Sequence, residues 1–123
     1  MKIFIVDDSS VVVERLAGII RRVRGMELVG QAADVAQATQ SIAKLAPDLL
    51  ILDLHMPGGS GIDVLKTVKM HFPAIKVIVL TNYPSPQHRK RCLELGADYF
   101  LDKSSEFGKL PEIFRLARRP KAA

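Results

Sequence analysis

The chain has 123 residues, 48% of them hydrophobic and 25% charged, which suits one globular domain with a single core and leaves no room for a second. No apolar run approaches the ~20 residues that span a bilayer, the first run meets Asp7 and Asp8 too early for a signal peptide, and the lone Cys92 has no disulfide or metal partner, so the expectation is a cytoplasmic protein without membrane insertion. The net charge of +5 is scattered over Arg15, Arg21, Arg22 and Arg24, then Arg89, Lys90 and Arg91, then Arg115, Arg118, Arg119 and Lys121, without aromatic interleaving or finger spacing; direct nucleic-acid binding by this chain is not expected, and an acidic protein partner explains the charge equally well.

Ile3-Phe4-Ile5-Val6 is a continuous apolar run, the pattern of a strand buried on both faces. It ends on Asp7 and Asp8. Val12, Leu16, Ile19 and Val23 then recur at helical spacing, and Leu28-Val29 gives a weaker strand signal. Asp34 with Gln37 reads as an N-cap with a reciprocal partner three residues on, opening a helix with the stripe Val35, Ala38, Ile42 and Leu45. The buried run Leu49-Leu50-Ile51-Leu52 leads into Asp53. Gly58, Gly59 and Gly61 serve a sharp turn after Pro57, since no lysine follows them as a phosphate-cradling loop requires.

Ser60 with Asp63 is the next cap, and Val77-Ile78-Val79-Leu80 is the fourth strand, ending on Thr81. Ser85 and Pro86 read as N-cap and first helical residue. Residues 87–95 form a helix with few apolar positions, either an ordinary exposed helix or a weakly held, bistable one. Gly96 suits its end. Tyr99-Phe100-Leu101 is the fifth strand, with Lys103 two residues beyond, and the last helix starts at Pro111 or carries it early. His71 and His88 read as surface residues, His55 as a pocket-mouth residue and Cys92 as a small packed side chain.

Alternating strands and helices define an α/β fold, a parallel sheet with right-handed crossovers and helices on both faces. In such a sheet Asp7, Asp8, Asp53, Thr81 and Lys103 all fall at one edge, beyond the strand ends, where open α/β sheets bind ligands. Three carboxylates there repel one another, which raises a pKa or calls for a cation. Mg²⁺ suits them, because it takes one or two carboxylates, waters and a phosphate oxygen, and no Cys or spaced His pair competes for a softer metal. Lys103 adds a positive charge and Thr81 a hydroxyl donor. The set suits phosphoryl transfer, in which an aspartate can itself be the nucleophile.

The segments Ile5-Val6-Asp7-Asp8-Ser9, residues 53–61 (Asp-Leu-His-Met-Pro-Gly-Gly-Ser-Gly), Thr81-Asn82 and Gly96-Ala97-Asp98-Tyr99-Phe100-Leu101-Asp102-Lys103 together resemble the receiver domains of two-component response regulators. The resemblance implies one receiver domain over residues 1–123, with a flavodoxin-like (βα)5 doubly wound sheet of strand order 2-1-3-4-5. It implies that Asp53 is the phosphoacceptor, that Asp8 binds Mg²⁺ directly and Asp7 through water, and that the His55 backbone carbonyl completes the protein's share of the metal shell. Thr81 and Lys103 match the residues that contact the phosphoryl group, and Thr81 and Phe100 match the switch pair. The implied donor is a histidine kinase or histidine phosphotransfer protein, and the implied output is an unknown protein target on the face of the fourth helix, fifth strand and fifth helix.

Two departures stand out. Ser104 follows Lys103 where the family often has a proline, commonly with a cis peptide. His55 and Tyr83 lie where the family varies phosphoryl lifetime. The chain is expected to be no enzyme beyond self-phosphotransfer and autodephosphorylation, and to act as a stand-alone phosphorylation switch or phosphorelay shuttle, or as the receiver of a longer transcription factor. An aspartate-nucleophile phosphohydrolase is disfavoured, since position 55 lacks the second aspartate. A nucleotide or flavin carrier is disfavoured too, since no glycine-rich turn follows the first strand.

Overall fold

The computed structural model describes residues 1–82 and 84–118, so Tyr83, Arg119 and Lys121 lie outside the described residues. In chain order the elements are β1 (Lys2–Val6), α1 (Ser10–Arg22), β2 (Glu27–Ala32), α2 (Val35–Leu45), β3 (Leu49–Leu52), the two-residue strands β4 (His55–Met56) and β5 (Gly59–Ser60), α3 (Gly61–His71), β6 (Lys76–Thr81), α4 (Pro86–Glu94), β7 (Tyr99–Asp102), a 3₁₀ turn (Phe107–Lys109) and α5 (Leu110–Arg118). The main sheet is ordered β2-β1-β3-β6-β7 with every pairing parallel. Because the small β4–β5 ladder takes two labels, this is the expected order 2-1-3-4-5 and the flavodoxin-like receiver architecture.

Side chains alternate across a strand, so a run apolar throughout must be covered on both faces. Phe4, Val6, Leu50, Leu52, Val77 and Val79 face one core, where Ala38 and Ile42 of α2, Val64, Leu65 and Val68 of α3 and Cys92 of α4 cover them. Ile3, Ile5, Leu49, Ile51, Ile78 and Leu80 face the other, covered by Val13, Leu16 and Ile20 of α1 and Ile113 and Phe114 of α5. Of the α1 stripe, the expected Leu16 and Val23 are buried, but Val13 and Ile20 take the core positions expected of Val12 and Ile19, which lie at its margin.

The caps fall at the expected residues. Asp34 accepts the Gln37 N–H at 2.8 Å, and the Gln37 side chain reaches back to the Ala33 N–H at 3.0 Å. Ser60 accepts from the Ile62 N–H and Ser85 from the His88 N–H, with Pro86 opening α4. Pro111 is the second residue of α5, where its missing N–H breaks no helical bond. Pro57 and Gly58 (φ +81°) make the turn between β4 and β5.

Candidate functional site

The sheet's ladder continues one residue past the strand ends, and this places the site. The Asp7 N–H donates to the Ala32 carbonyl (3.0 Å), the Asp53 N–H to the Val6 carbonyl (2.9 Å) and the Lys103 N–H to the Thr81 carbonyl (2.8 Å). Three residues far apart in sequence are therefore fixed by backbone alone at the same edge of the sheet. Thr81 closes β6 in register with Asp102 and is fully buried.

Asp7, Asp53 and Lys103 are buried, while Asp8 is exposed. The Lys103 ammonium lies 2.7 Å from Asp7 Oδ2 and 3.3 Å from Asp53 Oδ2. The other oxygen of each acid meets a local amide: Ser9 N–H donates to Asp7 Oδ1 (2.9 Å), and His55 N–H donates to Asp53 Oδ1 (3.3 Å). Carboxylate oxygens of Asp7, Asp8 and Asp53 lie within 4.8 Å of one another. Burial drives the Asp53 carboxyl above its usual range. Lys103 pulls it back, and the Asp7 charge adds to the rise. For Lys103, burial works to lower the ammonium, but the hydrogen bond to Asp7 and the charges of Asp53 and Asp7 outweigh it and hold it above its ordinary value. One lysine facing three acids leaves the pocket negative, a setting that favours a cation or an incoming group with its own counter-charge.

Gly61 sets the distance between α3 and this pocket. A Cβ there would sit 2.2 Å from the Asp53 carbonyl oxygen, so the helix approaches the acid-bearing segment as closely as it does because position 61 has no side chain. Phe100 faces inward at 5% exposure, with the Arg89 guanidinium 6.0 Å from its ring centre and donating to its carbonyl. Cys92 is buried as expected, and His71 is exposed. His88 differs from its surface reading: it is half-buried, its ring 6.3 Å from that of the exposed His55 in an edge-on contact across the pocket mouth. Every peptide bond among the described residues is trans, including the one before Ser104. The bonds that Asp102 and Glu106 make around Lys103 were not read from sequence. The one available signal was an Asp two residues before a Ser, the spacing of an Asx turn.

The chain belongs to the response regulator receiver domain family, whose model matches residues 3–115. Oxygen regulatory protein NreC of Staphylococcus epidermidis is 37% identical over 106 residues, covering 85% of this chain and 49% of that protein. DNA-binding transcriptional activator DevR/DosR of Mycobacterium tuberculosis is 29% identical over 103 residues, covering 84% of this chain and 48% of that protein. The isolated receiver domain of RcsB from Salmonella enterica serovar Typhimurium, solved with the phosphomimetic BeF3⁻, superposes with a TM-score of 0.88 at 30% identity, covering 94% of this chain and 86% of that one. RcsB bound to promoter rprA gives the same TM-score at 29% identity, covering 97% of this chain and 99% of that one. The chain spans about half the length of the curated relatives it matches.

These relatives correct the expectation that set nucleic acid aside. One is a DNA-binding activator, and another is solved with promoter DNA. Scattered charge without aromatic interleaving or finger spacing is therefore no ground for setting nucleic acid aside. Receiver domains of transcriptional response regulators are signalling domains. Among the described residues no helix is long and apolar enough to cross a membrane.

Proposed function

We propose that residues 1–123 form one receiver domain that works as a phosphorylation switch in the cytoplasm, with Asp53 accepting a phosphoryl group from a histidine kinase or histidine phosphotransfer protein. The observation that carries this reading is the contact of one buried ammonium, Lys103, with two buried carboxylates, Asp7 and Asp53, at 2.7 and 3.3 Å. An oxygen of Asp53 attacks the phosphorus of phosphohistidine. The P–N bond breaks, its electron pair stays on the imidazole nitrogen, and Asp53 becomes an acyl phosphate. Lys103 then turns from the Asp53 carboxylate to a phosphoryl oxygen, and Thr81 donates its hydroxyl to another. Water later cleaves the acyl phosphate, so the domain's own chemistry is phosphotransfer to itself and autodephosphorylation.

The donor set supports Mg²⁺ as cofactor. It consists of oxygens within 4.8 Å of one another, with no sulfur or imidazole in the group, which suits a hard cation that keeps several waters. Asp8, Asp53 and the His55 carbonyl would hold it, with Asp7 beside them. When bound, Mg²⁺ neutralises carboxylate and phosphoryl charge. A cleft of about 400 Å³ lined by Asp7, Asp8, Ser10, Gln31 and Gln37 opens on the Asp7–Asp8 side of the acid cluster.

Phosphorylation shifts an existing equilibrium, drawing Thr81 toward the phosphoryl oxygens while Phe100 fills the space behind it. The changed surface is that of α4, β7 and α5, read by a protein partner. As in the transcriptional regulators it resembles, the output controlled by this switch is DNA binding by the assembled regulator. Incubation with a small acyl phosphate and Mg²⁺, followed by intact mass measurement, tests the assignment. Wild type gains one phosphoryl group and Asp53→Asn gains none. A full adduct on Asp53→Asn removes Asp53 from the role.

A further inference from the structure

Lys103 carries four rotatable bonds, so its ammonium reaches both buried acids only if the backbone beneath it is held. Three successive amides of that loop are pinned. The Asp102 N–H donates to Glu106 Oε1 at 3.0 Å, the Lys103 N–H to the Thr81 carbonyl at 2.8 Å, and the Ser104 N–H to Asp102 Oδ1 at 2.9 Å. The Ser104 hydroxyl donates to the same Asp102 oxygen at 2.7 Å. The chain then returns on itself, with the Glu106 N–H on the Asp102 carbonyl at 2.8 Å. Lys109 holds the second Glu106 oxygen at 2.5 Å, which orients that carboxylate. Ionised acceptors make such bonds stronger than neutral ones, and the Ser104 bonds hold the Asp102 carboxyl below its ordinary range, so it stays ionised at neutral pH.

We infer that Asp102 and Glu106 are positioning residues for Lys103: their carboxylates tie down the amides on either side of it and so aim its ammonium at Asp7 and Asp53. Neither touches the reacting atoms. Both also line a cleft between α4 and β7 with Ser85, Arg89 and Phe100, so the far side of the same clamp borders the helix that faces a partner. The inference rests on the reading of Lys103 as the residue that meets the phosphoryl group.

The test uses the full chain, a small acyl phosphate and Mg²⁺, with initial rates of Asp53 phosphorylation and thermal unfolding measured in parallel. A catalytic group displaced by about 1 Å loses up to roughly a hundredfold in rate. Asp102→Ala and, independently, Glu106→Ala are therefore expected to slow phosphorylation by at least about tenfold while unfolding cooperatively near the wild-type temperature. Asp102→Asn, which keeps an oxygen acceptor for the Ser104 amide, restores most of the rate. In a Lys103→Ala background, adding Asp102→Ala produces no further loss. Wild-type rates in both alanine variants alongside a slow Lys103→Ala overturn the clamp and leave the role of Lys103 intact. A further loss in the Lys103→Ala background also overturns it, because the effect then bypasses the lysine. A wild-type rate for Lys103→Ala alone is a different result, removing Lys103 from the chemistry and this inference with it.

Discussion

Gly61→Ala adds one methyl group at the first position of α3, and the structure gives its cost. The new Cβ would lie 2.2 Å from the Asp53 carbonyl oxygen and 2.7 Å from Leu54 Cα. Both are backbone atoms directly beyond a strand buried on both faces, so neither can swing aside. Restoring an ordinary contact of about 3.5 Å moves the start of α3, or the segment bearing Asp53, by roughly 1 Å. Overpacking of this kind costs about 1–3 kcal/mol, and the better helix propensity of alanine returns less than about 1 kcal/mol. A net loss of about 2 kcal/mol lowers the urea midpoint by about 1 M at ordinary denaturant sensitivity for this size. Gly18 is the internal control: it sits inside α1 with nothing within 4 Å of an added Cβ, so Gly18→Ala should stabilise by about 0.5–1 kcal/mol. Equilibrium urea unfolding of both variants, followed by far-ultraviolet circular dichroism, reads the two signs. A midpoint for Gly61→Ala at or above wild type refutes the reasoning, since it shows that the Asp53–Leu54 backbone yields freely.

Burial raises the Asp53 carboxyl in the fold, so the folded state binds that proton more tightly than the unfolded chain and stability falls as pH rises between the unfolded and folded values. Asp53→Asn should therefore melt higher than wild type at pH 7 and lose that advantage below about pH 4; an equal gain at both pH values contradicts the cause given. Asp98 accepts from Lys69 Nζ at 3.0 Å and from the Val77 N–H at 2.8 Å, so Asp98→Ala should cost about 1–3 kcal/mol by urea unfolding. Asp102 is depressed chiefly by the Ser104 hydroxyl and amide; its loop closure is fully present above the unfolded carboxylate value and is lost as pH falls through the lower folded one. The Ser104 amide proton shift should follow that titration, and Ser104→Ala should move the midpoint upward.

The strands of the sheet and the gathering of the acids at one edge were legible for the same reason, while the strand order followed only from the family resemblance. Strands buried on both faces are written as unbroken apolar runs, and the residue that ends such a run lands at the sheet's edge wherever it lies in the chain. β2 was faint because it is an edge strand with exposed Glu27 and Gln31, so only Leu28-Val29 carried a signal. In α1, Val11, Val12 and Val13 are consecutive, and periodicity alone does not choose the buried one; packing against β1 and β3 chose Val13. β4 and β5 have two residues each, too few for alternation to show. The contacts of Asp102, Ser104 and Glu106 depend on how one loop folds back on itself, and the His55–His88 contact on two elements meeting in space. Neither has a period or a fixed spacing to read.

Packing also separates the parts of this fold that stay from the part that can move. α3 buries Gly61, Val64, Leu65 and Val68, whereas α4 buries Cys92, so α4 forfeits far less apolar contact when displaced. Its other ties include the Arg89 bond to the Phe100 carbonyl at 3.3 Å and the edge-on ring contact of His88 with His55. Those ties run to the strand beside Thr81 and to the loop that follows Asp53. The acid pocket, by contrast, is fixed by ladder bonds to the ends of β2, β1 and β6 and by a buried ammonium shared between two carboxylates. Under the phosphorylation reading proposed above, a charge change at Asp53 would act on a pocket held by ladder bonds, and of α3 and α4 the helix that would shift at lower cost is α4. This division suits a switch better than a catalyst, because a catalyst needs its surroundings held while a switch needs one neighbour ready to move.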